Sequence, residues 1–334
     1  MTRKLSLGMA VNEALRIAME TDPDVILMGE DVAGGGNREG DEIDEMGGVL
    51  GTTRGLVKAF PDRVLDTPIS EMGIVGTAVG AAATGLRPVV ELMFMDFLGT
   101  CLDPLLNQAA KLRYMFGGKA RVPLTVRTVT GASMQAAAQH SQSLYWITAG
   151  IPGLKTVIPS NPADAKGLLL AAIRDDNPVV FCEAKLVLGR TGEVPEGDYE
   201  VPIGKANLVR EGGDVSLIGF GGTVPICLQA AEQLAADGLN ADVLDLRSLQ
   251  PLDEEAILAT LARTGRVVIV DESTPRSSVA SDVAALCVDQ GFDFLEAPVR
   301  RVTAPHSPVP FSRPLEQAFI PSAARVIEAV RAQV

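Results

Sequence analysis

Residues 63–86 read RVLDTPISEMGIVGTAVGAAATGL: a short β-branched run, a proline, a serine able to cap a helix, and a single carboxylate, Glu71, before the uncharged run Met72–Leu86. Val64–Thr67 has strand composition and stops at Pro68, and Ser70 offers an N-cap to a helix beginning at Glu71. A Gly/Ala-rich helix without charge on any face is expected to pack closely on all sides. Glu71 then stands at a buried helix start, where burial opposes ionisation and the helix N-terminus favours the anion. Opposed influences of that kind suit an acid/base group. In an arbitrary helix a first-turn Glu is more often part of a cap, so the surrounding sequence has to decide.

Strand-like and helix-like segments alternate around this unit. Helices are expected over Met9–Glu20, Leu102–Met115 and Pro162–Ile173, and strands over Val25–Met28, Pro88–Leu92, Pro123–Arg127 and Val179–Glu183. Apolar runs of strand length separated by helices predict a parallel sheet covered on both faces, so residues 1–188 read as one doubly wound α/β domain. Residues 189–204 are a Gly/Pro/Glu-rich linker. The pattern restarts over 205–334 as a smaller α/β domain, with strands Val215–Gly219, Ala241–Asp245 and Val267–Asp271. Its helices are expected over Thr223–Ala236, Glu254–Thr264, Ser278–Asp289 and Ser322–Gln333. Ala33–Gly48 is acidic, Gly-rich and aperiodic, a long connection of the kind usually given to function or motion.

Composition narrows the function classes. The 334 residues carry a net charge of −13 with no basic cluster, which argues against nucleic acid and anionic membrane surfaces as partners. No apolar run reaches the roughly 20 residues a membrane span requires. Cys101, Cys182, Cys227 and Cys287 are scattered without a CxxC pair, as expected of a reduced, cytoplasmic chain with neither a disulfide framework nor a thiolate metal site.

DTPISEMG (Asp66–Gly73) and AAAQHSQ (Ala136–Gln142), with RYMFGGKARVPL (Arg113–Leu124), PGLKTVIPS (Pro152–Ser160), DAKGLLLAAIRDDNPVVF (Asp164–Phe181) and PVPFSRPLE (Pro308–Glu316), run in a recognisable order. In these the chain resembles the beta subunits of the thiamine-diphosphate-dependent first component of 2-oxo acid dehydrogenase complexes. GGVLG (Gly47–Gly51) and TAPHSPVPFS (Thr303–Ser312) look most like the acetoin dehydrogenase branch. The resemblance implies a transketolase-like pair of domains, the first binding the cofactor's pyrimidine and the second a transketolase C-terminal-like domain. It also implies an assembly of two alpha and two beta chains and a lipoyl-bearing acyltransferase as partner. A small carbonyl compound would be the substrate.

The resemblance assigns roles as well. Glu71 matches the carboxylate that protonates the aminopyrimidine ring nitrogen, and Ile69, Met93 and Phe97 match residues around that ring, positions that sequence alone explains equally well as core packing. His140 matches a channel histidine that helps pass the acyl group to the lipoyl arm, whereas an arbitrary histidine is more often structural. A structural potassium ion is implied near Leu124, Ala172, Ile173, Asp175 and Asn177, held largely by backbone carbonyls that leave little trace in sequence. Chains that carry the whole cofactor also have a GDG segment for magnesium and diphosphate. None occurs here, so the alpha chain is expected to bring the magnesium.

Three other readings stand beside acetoin cleavage: a pyruvate or branched-chain 2-oxo acid enzyme, a non-catalytic assembly subunit, and an NAD-dependent dehydrogenase. The last rests on LIGFGGTVP (Leu217–Pro225) with Asp245 as ribose acid, but Val224 stands where GxGxxG needs its third glycine, and a glycine turn between strand and helix explains it better. His306, among prolines, reads as structural.

Overall fold

The computed structural model describes residues 2–35 and 47–334; most of the acidic stretch Ala33–Gly48 lies outside the described residues. In chain order the strands are β1 (Thr2–Ser6), β2 (Val25–Gly29), β3 (Val64–Asp66), β4 (Arg87–Phe94), β5 (Thr125–Thr130), β6 (Lys155–Val157) and β7 (Val179–Ala184). They continue as β8 (Thr191–Pro195), β9 (Asn207–Arg210), β10 (Val215–Gly219), β11 (Ala241–Asp245), β12 (Ser248–Gln250), β13 (Val267–Asp271) and β14 (Arg300–Thr303).

A seven-stranded sheet has the order β12-β6-β7-β5-β4-β2-β3, and every pairing except β12 with β6 is parallel. β5 and β7 are buried along their whole length, as a parallel sheet under helices requires. The Leu7–Thr21 helix starts at Ser6, whose hydroxyl accepts from the Met9 amide at 3.2 Å, and it packs against the Pro162–Arg174 helix. The second sheet, β14-β13-β10-β11-β9, is parallel apart from β9. Its three apolar strands and the helices Thr223–Ala236 and Glu254–Thr264 fall where the sequence periodicity puts them.

Three features add to these expectations. Part of the presumed linker is β8, which pairs antiparallel with β1. The helix expected over Leu102–Met115 is helical throughout, but Pro104–Ala109 is wound as a wider π-helix before the α-helix resumes over Ala110–Met115. And β12, from the second half, completes the edge of the first sheet, so a division at residues 189–204 leaves one strand of the first sheet to the second half. The halves are tied further by the Arg247 guanidinium, which donates to both Asp164 oxygens at 2.8 and 2.6 Å, and by Ser160 donating to Asp245. Asp245 is fully buried, and burial pushes its carboxyl up to about 7.

Candidate active site

Glu71 opens the Glu71–Ala83 helix, which follows β3 at the carboxyl end of the parallel sheet. A pocket of about 350 Å³ beside the start of this helix is lined by Met28, Asp66, Thr67, Pro68, Ser70 and Thr77, and Glu71 itself is not part of its lining. The expectation that this helix is enclosed does not hold within the chain. Ile74, Val75, Ala78, Val79 and Ala82 face the core, whereas Met72, Gly73, Gly76, Thr77 and Gly80 are exposed and Glu71 is only half-buried. Ser70 makes no side-chain cap either. The uncharged helix therefore has one core-facing side and one exposed side.

Around Glu71 the described residues offer one donor. The Thr100 hydroxyl lies 3.4 Å from Glu71 Oε2 and 2.8 Å from the Phe97 carbonyl oxygen. A hydroxyl has a single hydrogen, and the shorter contact takes it, which leaves the Glu71 carboxylate able to accept from a ligand. Burial, and then the charges of Asp31, Glu71 and Glu91, push Glu30 above the ordinary carboxyl value. Burial and then Glu71 raise the Cys101 thiol to about 12, so it stays protonated at neutral pH.

β4 reaches the site through an irregularity. Leu92 pairs with Thr128 and Phe94 with Val129, so Met93 is an extra residue in the ladder. Such a bulge re-aims the side chains that follow it. Met93 is buried, and Phe94 turns to meet Phe97 edge-on at 5.9 Å between ring centres. The His140 ring completes the group, 5.1 Å from Phe94 and 5.3 Å from Phe97, both edge-on. Thus Phe97 and His140, far apart in sequence, are brought together, and Thr100 joins Phe97 to Glu71. Ile69 is 71% exposed in the turn before the helix. Phe94 was missed by sequence reasoning, since no periodicity announces a bulge.

The first sheet also carries a buried charge network. Arg127, on β5 and fully buried, donates to Glu183 Oε1 at 2.9 Å, to Glu91 Oε2 at 3.0 Å and to the Thr52 hydroxyl at 3.0 Å. One cation faces two carboxylates, and Glu91 Oε1 and Glu183 Oε2 have no partner among the described residues. Burial raises the Glu183 carboxyl against the pull of Arg127. A signal was present in the sequence: VVELMF, TVRTVT and VVFCEA each set one charge inside an otherwise apolar or β-branched strand.

The implied cation ligands meet at one corner. Val179 N donates to the Leu124 carbonyl at 2.9 Å and Asp175 N to that of Ala172 at 3.3 Å, leaving each oxygen a second lone pair. The Asp175 carboxylate accepts from the Asn177 amide groups at 2.9 and 2.8 Å and pairs with Lys155. Its carboxyl is held below the ordinary value by Lys155 and Asn177 against burial. Arg87 donates to the Ile173 and Asp175 carbonyls at 3.2 and 3.3 Å. The oxygen-rich donor set suits a weakly held monovalent cation, with Arg87 and Lys155 already supplying part of the positive charge. Among the described residues there is no cluster of His, Cys, Asp and Glu able to hold a metal.

The LIGFGGTVP segment is closed to a dinucleotide. A Cβ on Gly221 would meet Ile158 Cδ1 at 2.7 Å and one on Gly222 would meet Leu186 Cβ at 2.8 Å, so the turn is packed against the first half. The Thr223 hydroxyl is buried and bonded to Phe220 and Val270. His306 is exposed and borders a cavity of about 540 Å³ shared with Gln139, Ser141, Trp146, Glu272 and Phe319. All four cysteines are free and buried, and among the described residues no helix is long and apolar enough to cross a membrane.

Comparison with known proteins identifies the two halves of the fold. Residues 3–190 match the pyrimidine-binding domain of transketolase and residues 204–326 its C-terminal domain. The chain belongs to the transketolase family. Within this family the chain is 57% identical to the beta subunit of acetoin:2,6-dichlorophenolindophenol oxidoreductase of Bacillus subtilis, over 98% of this chain and 96% of that one. The Cupriavidus necator subunit of the same name is 53% identical over 99% and 98% of the two chains. The beta subunit of the pyruvate dehydrogenase E1 component of Bacillus subtilis is 42% identical over 98% of each. A solved structure titled as a split-gene transketolase, an inactive beta4 tetramer, superposes with a TM-score of 0.77 at 22% identity, covering 97% of this chain and 96% of that one, a likeness of fold.

Proposed function

We propose that this chain is the beta subunit of a thiamine-diphosphate-dependent acetoin dehydrogenase, cleaving acetoin and transferring the acetyl unit to lipoamide in an assembly with an alpha chain, two of each. One observation carries the reading: identity along nearly the whole chain is 57% and 53% to acetoin-oxidising beta subunits and 42% to a pyruvate dehydrogenase one. The site's construction supports a shared cofactor. Among the described residues Glu71 has no committed donor, it opens a helix with an exposed Gly-lined face, and the Thr100 hydroxyl links it to the Phe97 carbonyl.

When bound, thiamine diphosphate supplies a carbon nucleophile that takes up a carbonyl and lets the neighbouring carbon–carbon bond break. Glu71 would hold a proton at the pyrimidine ring nitrogen, Met93 and Phe97 would line the ring's side of the pocket with Ile69 at its exposed lip, and His140 would hold or pass a proton at the substrate-derived oxygen. The alpha chain covers the open helix face and brings magnesium for the diphosphate, since this chain has no GDG segment. The corner of Leu124, Ala172, Ile173, Asp175 and Asn177 holds a structural potassium ion, a lipoyl-bearing acyltransferase takes up the acetyl unit, and the setting is the cytoplasm.

Acetoin, pyruvate and 2-oxoisovalerate are offered in turn to the chain assembled with its alpha partner and lipoamide. Acetoin is the expected substrate, and turnover of pyruvate alone would reassign the branch. Glu71→Gln should cut turnover by roughly 10²–10⁴-fold with assembly intact. Wild-type proton exchange at the thiazolium carbon in that variant would refute the role of Glu71.

A further inference from the structure

The loop that carries His140 is held by charged side chains from three parts of the chain. Its neck is closed where the Thr130 hydroxyl and the Gly131 amide donate to the Gln142 carbonyl at 3.1 and 3.4 Å. Next to the neck, Asp96 accepts from the Ser141 and Gln142 amides at 3.2 and 3.1 Å. Lys185 donates to the His140 carbonyl and sits 4.7 Å from the centre of the Phe94 ring. The belly of the loop rests on Glu316, from the Arg313–Phe319 helix of the second half. Glu316 Oε1 accepts from the Ser133 amide at 2.9 Å and from the Gln135 amide at 3.0 Å, across more than 180 residues of sequence.

That support is needed because the loop is in an unfavourable conformation. Ser133, Gln135 and Ala137 have φ of 107, 53 and 60°, left-handed values costly for residues with a Cβ, which persist only where the surroundings over-determine them. Glu316 itself is 2% exposed, and its side chain is met inside the protein by the two amides it accepts from. A buried carboxylate spent on two backbone amides of a strained loop contributes little that a hydrophobic side chain of that size would not contribute to packing alone. What it does fix is the path of Ser133–Ala137, and with it the approach to His140.

We propose that Glu316 is a positioning residue for His140: the C-terminal half sets the loop geometry on which the substrate-handling histidine of the first half depends. The inference rests on the role given to His140 above, and its test separates the two. Glu316→Ala removes both acceptors, whereas Glu316→Gln keeps one acceptor oxygen. Hydrogen–deuterium exchange on the full chain reads the loop without any cofactor. The Ser133 and Gln135 amides should exchange at least about 10-fold faster in Glu316→Ala and near the wild-type rate in Glu316→Gln.

In the assembly with the alpha chain, Glu316→Ala should lower acetyl transfer to lipoamide on the order of 10- to 100-fold, as a small misplacement of a reacting group does. Thiazolium proton exchange, which depends on Glu71, should stay at the wild-type rate, and Glu316→Gln should restore most of the transfer. Adding His140→Ala to Glu316→Ala should lower transfer no further than His140→Ala alone. Unchanged loop exchange, equal loss in both steps, or a double variant whose losses multiply would each overturn the positioning role. A His140→Ala variant with full transfer would instead remove the histidine's own function, leaving the exchange result to decide whether Glu316 holds the loop.

Discussion

Glu272 gives the sharpest test of the buried electrostatics. It follows β13, is 6% exposed, and its Oε1 has no hydrogen-bond partner among the described residues. Two glycines make room for it: a Cβ on Gly131 would lie 2.9 Å from Glu272 Oε2, and one on Gly222 3.3 Å from Oε1. Burial, helped by Asp271 and opposed by Lys185, pushes its carboxyl from an ordinary 4.5 up to about 8. Between those two values the folded chain keeps a proton that the unfolded chain has released. Unfolding then sheds a proton, and stability falls as pH rises, by about 1.4 kcal/mol per pH unit for this one group. By pH 7 the loss amounts to about 3 kcal/mol. Glu272→Gln cannot lose that proton. Its extra buried N–H donors cost roughly 1–3 kcal/mol at every pH, so the two proteins differ in slope whatever their offset. Urea titrations of both chains from pH 5.5 to 8 should give curves that diverge by about one proton. Parallel curves would show that Glu272 is ionised, or solvated, in the folded chain, and would refute the argument.

Removing the Arg127 side chain as Arg127→Leu should destabilise the chain by about 3–5 kcal/mol, because Glu91 and Glu183 are left facing each other without a cation. Adding Glu91→Gln and Glu183→Gln should recover much of that in the same urea titration. Calorimetry on the isolated chain should find thiamine diphosphate with magnesium bound weakly, and tight binding without an alpha chain would remove the shared-site reading. If potassium occupies the Leu124–Asn177 corner, 100 dissociation constants of the ion should add about 2.7 kcal/mol over an equal concentration of choline, and Asp175→Ala should abolish the difference. His140→Ala should depress acetyl transfer to lipoamide far more than proton exchange at the cofactor, measured side by side.

Much of the fold was legible because long apolar strands and helices carry their own periodicity. β10, β11 and β13 and the Thr223–Ala236 and Glu254–Thr264 helices begin and end where that pattern does. β6, β12 and β8 escaped it, two of them having three residues and the third alternating in a polar stretch, too little to show a period. At the candidate site, motif resemblance pointed to Glu71, Phe97 and His140, whereas the neighbouring Phe94, Lys185 and Glu316 depend on a bulge and on contacts between distant segments, which carry no sequence signal. The Glu71 helix shows a further limit. Its uncharged composition predicted enclosure on all sides, whereas only one side is buried in the chain, because lack of charge alone does not separate a packed face from an exposed one.

β12 also bears on how such a chain can be made and taken apart. The first sheet ends at β6, and its outer edge is capped by three residues, Ser248–Gln250, that a ribosome delivers some ninety residues after β6 itself. Until then the β6 edge is an unpaired row of amides and carbonyls beside an apolar sheet, the arrangement that recruits strands from other chains. A fragment cut at the boundary between the two halves inherits that open edge permanently. The parts of this protein are therefore not independently separable modules, and pieces of it meant for study apart need the Ser248–Gln250 strand supplied in trans or the edge blunted by charge.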